Sequence, residues 1–247
     1  MSLQGSTALI TGAGSGIGRG TALRAAAAGM NVIAIDVKQA DDTVAAIRAD
    51  GGHATAVSMD VREPGQWAIV VEQALSAHGR IDLLANVAGV VSVDPDEAAV
   101  QTDAGWDRVI AVNQTGVFYG MRAVLPAMID AGGGAIVNVA SVAGVVGMPG
   151  VFSYSASKGA VIGMSRQAAT TYAPNGIRIN VICPGIIATP MLGDITDQLR
   201  AHCEAATPMA RLGAPDDIAA TLLHLATPEA AFITGQVISI DGGWTAQ

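Results

Sequence analysis

Tyr154-Ser155-Ala156-Ser157-Lys158 opens a stretch with helical spacing. Residues four apart share one helix face, so Tyr154 and Lys158 project together. A free tyrosine has a pKa of about 10 and is a poor base at neutral pH. A neighbouring ammonium, or a cationic cofactor ring, favours the phenolate and lowers that value. The pair is therefore suited to general acid/base work on a carbonyl or secondary alcohol, giving a proton to an alkoxide or taking one from a hydroxyl. Ser141 follows an apolar run that ends at the same cleft and would donate to the substrate oxygen, stabilising developing charge. Asn113, in the long connection before that run, would anchor a water linking Lys158 to solvent.

Such a proton relay needs a hydride partner, and the start of the chain supplies a place for one. A first apolar run leads into Thr11-Gly12-Ala13-Gly14-Ser15-Gly16-Ile17-Gly18. Glycines at 12, 16 and 18 allow a tight turn, close approach to a pyrophosphate, and packing of a helix on a strand. The helix that begins near Gly16 offers free N–H groups and the positive end of its dipole. Asp36 closes the second run, where a carboxylate accepts from the ribose hydroxyls and repels a 2′-phosphate. Val37 follows, not an arginine. The cofactor expected is NAD. Asp60-Val61 closes the third run, where Asp60 would meet the adenine amine or serve as a simple turn residue. Asn86-Val87-Ala88-Gly89 closes the fourth, and the small Ala88 and Gly89 would let backbone lie against the adenosine ribose.

These residues all sit at the ends of short Val/Ile-rich runs: 7–10, 32–35, 55–57, 81–85, 135–139, 177–182 and 236–240. Helical spacing fills the gaps, over 16–28, 43–49, 66–77, 106–129, 154–172 and 216–226. The alternation predicts an α/β fold, a doubly wound parallel sheet of seven strands with helices on both faces. No linker or repeat divides residues 1–247, so one domain is expected. Ligands of such sheets bind beyond the carboxyl ends of the strands.

Composition narrows the classes. The chain has 247 residues, 14% of them charged, and a formal net charge of −8. That balance disfavours nucleic acid and anionic membranes as partners. Neither Cys183 and Cys203 nor the four histidines have metal-ligand spacing, so no metal is expected. The start of the chain shows no signal peptide, and the most apolar region, 135–152, is too interrupted for a membrane span. A cytoplasmic location is the resulting expectation. The low charge fraction suggests that partner subunits cover apolar surface.

Taken together, Thr11-Gly12-x-x-x-Gly16-Ile17-Gly18, Asp60, Asn86-x-Ala88-Gly89, Asn113, Ser141, Tyr154-x-x-x-Lys158 and Pro184-Gly185 stand in the order and spacing of the short-chain dehydrogenase/reductase family, and the resemblance extends to Asp241-Gly242-Gly243-Trp244. It implies a Rossmann-type fold, an Asn113, Ser141, Tyr154, Lys158 tetrad, and commonly a homotetramer. It also implies that the backbone after Pro184-Gly185, at Ile187, approaches the nicotinamide carboxamide, and that Thr189 hydrogen-bonds that amide. Val87 departs from the family, which often has a second Asn there.

The substrate pocket is expected from Val90, Ser141, Val142, Ala143, Met148, Pro149, Gly150, Tyr154, Ile186 and Met191, under a lid over about 189–208. These are mostly apolar, with no Arg or Lys expected nearby except Lys158, which favours a neutral alicyclic, aromatic or steroid-like alcohol or ketone. A 3-oxoacyl reductase acting on acyl carrier protein is the related alternative. It is disfavoured because Asp130-Ala131-Gly132-Gly133-Gly134 and Thr171-Tyr172-Ala173-Pro174-Asn175 offer no basic residue to an acidic carrier. A non-catalytic NAD-binding sensor is the alternative from another class, and it would not need Tyr154 with Lys158.

Overall fold

Successive side chains of a strand point to opposite faces, so a strand covered on both sides must be apolar throughout. The first run meets that demand, and in the computed structural model, which describes residues 3–38, 40–193 and 196–247, it forms the buried strand β1 (Thr7–Thr11). Leu9 enters one core with Leu84 and Ile136, while Ala8 and Ile10 enter the other with Leu83, Ala85 and Val137. The further strands are β2 (Asn31–Asp36), β3 (His53–Ser58), β4 (Leu83–Asn86), β5 (Gly134–Val139), β6 (Ile177–Pro184) and β7 (Val237–Ile240). Every neighbouring pair is parallel, in the order β3-β2-β1-β4-β5-β6-β7. The strand order reverses between β1 and β4, and that is where a crevice opens in such sheets.

Helices α1 (Gly16–Ala27), α2 (Asp41–Ala49) and α8 (Pro215–Ala226) cover one face; α3 (Pro64–His78), α5 (Gly116–Asp130) and α6 (Phe152–Tyr172) cover the other. The single helix expected over 106–129 is two. Helix α4 (Asp103–Ile110) starts earlier, capped by Thr102, whose hydroxyl accepts the Gly105 N–H at 3.0 Å. It runs through a π-helical turn, Ala111–Thr115, into α5. Such a turn inserts one residue into a helix, often at a functional site. The fourth strand begins at Leu83 rather than Ile81, with the Asp82 carboxylate accepting the Thr7 N–H at 2.8 Å just before it; Ile81 is buried all the same. The expected lid contains a short turn, Pro190–Leu192, and a further helix, α7 (Asp197–Ala205). Residues 194 and 195 of that lid lie outside the described residues. Among the described residues no helix is long and apolar enough to cross a membrane.

A polar network crosses the apolar layer between the sheet and α6. The Asn86 amide donates to Asn138 Oδ1 at 2.8 Å, Asn138 donates to Ser165 Oγ at 2.8 Å, and Ser165 donates to the Val161 carbonyl at 2.6 Å. All three side chains are buried. Asn138→Ala would leave the Asn86 donor unpaired, which costs roughly 1–3 kcal/mol. The expected result is a lower urea midpoint at unchanged slope, with the unfolding free energy reduced by that amount.

Candidate active site

The crevice at the strand-order reversal is a cleft of about 430 Å³, and most of the expected cofactor residues line it: Gly12, Ser15, Gly16, Ile17, Gly18, Asp36, Asp60, Val61, Ala88, Gly89 and Thr189. Two glycines show why the loop requires them. Gly12 has φ +69°, and a Cβ there would stand 3.0 Å from the backbone N of Ala88; a Cβ on Gly18 would overlap the Gly12 carbonyl. The first turn of α1 carries no acidic residue and Ser15 makes no side-chain cap, so the N-terminal amides stay available to an anion. Four bonds hold the loop in shape. Thr43 donates to the Ala13 carbonyl at 2.8 Å, the Gly14 N–H donates to Asp36 Oδ2 at 3.0 Å, and Thr11 Oγ1 accepts the N–H groups of Val87 and Ala88 at 3.0 and 3.1 Å. The second Asp36 oxygen accepts the Lys38 N–H at 3.0 Å. A dinucleotide fits this set: amides for the phosphates, a carboxylate for a ribose diol, and glycines where a side chain would fill the space.

The cofactor cleft, unlike the apolar substrate pocket expected beside it, carries cations. Lys38, Arg62 and Arg108 all line the cleft. Arg62 clamps Asp60 through three bonds of 2.6 to 3.0 Å and holds that carboxyl below its ordinary range. Both Asp60 oxygens are therefore engaged before any adenine arrives. Arg108 donates to the Val91 carbonyl at 3.1 Å. Lys38 and Arg62 each follow a carboxylate of the cleft by two residues, Asp36 and Asp60, whereas Arg108 arrives from α4.

The tetrad converges behind Gly89. A Cβ on Gly89 would lie 3.3 Å from Asn113 Oδ1 and 3.5 Å from Lys158 Nζ. Lys158 is 3% exposed; its ammonium donates to the Val139 carbonyl at 2.8 Å and stands 5.5 Å from the centre of the Tyr154 ring. Burial pushes the ammonium down to about 8, with Cys183 acting in the opposite direction. Cys183 itself is raised to about 11, again chiefly by burial, and so stays a neutral thiol. Ser141 Oγ accepts the Ala143 N–H at 3.1 Å, which leaves its own hydrogen to donate to the Tyr154 phenol. The phenol departs from expectation. Burial raises it above its ordinary range and outweighs the Ser141 hydrogen bond. Asn113 sits in the π turn and grips the backbone of Val90 from both sides, accepting its N–H at 2.8 Å and donating to its carbonyl at 2.9 Å.

Several expected residues stand elsewhere. Asn86 does not turn its side chain to the cleft, because it shares the pleat face of Leu84 and meets Asn138. Val142, expected in the substrate pocket, is 1% exposed and packs in the core. Ile186 borders a separate cavity of about 220 Å³ with Thr207 and Met209. Pro184 ends β6 against β7, and Gly185 passes so close to Asp241 that a Cβ would come within 2.8 Å of its Cα. Ile187 is bridged to Gly213 through the Ala188 N–H and the Ile186 carbonyl, a pairing that does not use its own N–H. Met191 edges the cleft, and Met148 and Gly150 lie on the loop leading to α6.

Comparison with known proteins gives the same picture. A family model described as "Enoyl-(Acyl carrier protein) reductase" matches residues 12–245. The cyclohexanol dehydrogenase of Acinetobacter sp. (strain SE19) is 40% identical over 246 residues, covering 97% of this chain and 95% of that protein. The 3-oxoacyl-[acyl-carrier-protein] reductase FabG of Thermotoga maritima is 41% identical over 246 residues, covering 98% and 99%. A crystal structure of gox2181 superposes with a TM-score of 0.93 at 30% identity, covering 100% of this chain and 98% of that one.

Proposed function

Because the chain belongs to the short-chain dehydrogenase/reductase family, we propose that it interconverts a neutral, apolar secondary alcohol and its ketone with NAD(H). The observation that carries this reading is the buried Lys158 ammonium beside the Tyr154 ring, immediately behind the glycine that borders the dinucleotide cleft. The nicotinamide, when bound, supplies the hydride acceptor or donor. Tyr154 takes the hydroxyl proton in oxidation and returns it in reduction. Ser141 donates to the substrate oxygen, Lys158 binds the nicotinamide ribose and charges the phenol's surroundings, and Asn113 holds the wall behind them. Pro184, Gly185, Ile187 and Thr189 take the carboxamide end, with the segment 189–208 as lid. A ring-bearing alcohol is favoured by apolar residues on the cleft wall, among them Val90, Val112 and the exposed Met191. The cyclohexanol dehydrogenase among the relatives supports the same class. We further propose a homotetramer, in which a second copy covers the groove of about 560 Å³ between α5 and α6 and the exposed Phe118 and Ile129 beside it.

Mixing the protein with NAD⁺ and a panel of cyclic secondary alcohols should produce NADH. The panel includes a 3-oxoacyl thioester in the reverse direction, whose preferential turnover would move the assignment to acyl reduction. Binding of NAD without any turnover would point to a sensor. Since burial holds the phenol protonated and oxidation needs its base form, the oxidation rate should climb as pH rises above neutral. Tyr154→Phe should retain NAD binding and lose at least about a hundredfold in kcat. Asp36 argues for NAD over NADP, since a 2′-phosphate would meet its charge. Asp36→Ala should therefore raise kcat/KM with NADP relative to NAD by about tenfold; an unchanged ratio removes Asp36 from the selection. Light scattering should give four chain masses in solution.

A further inference from the structure

Helix α6 carries Tyr154 and Lys158, yet it has no cap of its own. The residue at its N-cap position, Val151, is apolar and makes no side-chain bond. An α-helix leaves its first N–H groups without internal partners, and leaving them unpaired in a buried place is costly. Here all three are taken by one residue far away in sequence. Asp96 accepts the Phe152 N–H on its backbone carbonyl at 2.8 Å, the Ser153 N–H on Oδ1 at 2.8 Å, and the Tyr154 N–H on Oδ2 at 3.4 Å. Asp96 is 7% exposed and makes no ion pair with a Lys or Arg among the described residues. Its charge is therefore balanced by the helix amides and the positive end of the helix dipole.

Asp96 stands on the loop that leaves β4, and this loop is fixed at both ends. Asn113 clamps Val90 at its start, and α6 clamps Asp96. Gln101, further along, donates to Ser153 Oγ at 3.1 Å, and Trp106 packs on Phe152 with ring centres 5.8 Å apart. The loop is thus a strut between the π turn and the first turn of the helix that aims the phenol.

We propose that Asp96 is a positioning residue for the reaction: it fixes the first turn of α6 and so sets the phenol of Tyr154 against Ser141. This rests on the reading of Tyr154 as the proton carrier. The proposal places Asp96's effect in kcat rather than in binding, because the glycine loop 12–18 and Asp36, which would hold the phosphates and the adenosine ribose, stand on elements that Asp96 does not touch.

The test measures kcat and KM on the alcohol turned over best, dinucleotide Kd by fluorescence titration, and amide exchange at 152–154. Asp96→Ala should lower kcat about tenfold while the dinucleotide Kd stays within about twofold and exchange at Ser153 and Tyr154 accelerates. Asp96→Asn keeps an oxygen for one N–H and should recover part of the loss. If Asp96→Ala does not fold, Asp96→Asn decides: kcat reduced about threefold at unchanged Kd upholds the proposal. Wild-type kcat in the folded alanine variant, or in the asparagine variant where alanine fails, overturns it. A parallel collapse of Kd and kcat overturns it as well. Full activity in Tyr154→Phe would instead sink the underlying reading, and the two failures are told apart by that variant alone.

Discussion

A positive charge buried at the end of β5 sets the terms for the rest of the molecule. Removing an ammonium from water is expensive, and among the described residues no carboxylate pairs with it; the Lys158 group is held by the Val139 carbonyl. The consequence is a lowered affinity for its proton, at about 8. For this to persist, α6 must lie on β5 in one register only, with Gly144 close enough to the Lys158 backbone that a Cβ would clash. The glycine at 89 then allows the charged tip to reach the rear of the cofactor cleft. The phenol, the serine and the amide network are arranged around that requirement.

The two halves of the site are built by different means. The dinucleotide half is a backbone construction, made from turns at strand ends and tied by Thr11, Thr43 and Asp36. Its turns are written in short-range sequence, and the ties that fix them run between separate elements. The chemical half is assembled from long-range contacts: Ser141 after β5, Asn113 in the π turn, Tyr154 on a helix whose first turn is tied to Asp96.

What could be read in the sequence follows this division. The seven apolar runs, their parallel pairing and the glycine loop were legible because burial on both faces and tight turns leave a local mark. The pleat could also have told where Asn86 points, since Leu84 two residues earlier faces the α5 and α6 side. Helix α7 was not legible: none of its residues is buried, so no apolar stripe betrays it. Asp96 gives no local signal, its partners lying more than fifty residues away. Arg108 reaches the cleft only through the folded arrangement, while Lys38 and Arg62 sit two residues past the strand-end carboxylates Asp36 and Asp60. The direction of the Tyr154 shift turned on burial, which spacing does not disclose.

The turn of five residues at 111–115 has a structural sequel. One additional residue in a helix rotates everything beyond it by about 100°. The segment before the turn faces α6 and the strut; the segment after it lays Val117, Met121 and Val124 into the sheet's core. The insertion therefore works as a phase shift, letting one continuous rod present unrelated stripes to two neighbours. Deleting a single residue there would restore the uninterrupted twist, turn Phe118 and Ile129 inwards, and expose aliphatic side chains to water, so that length is constrained at this point even where residue type is not.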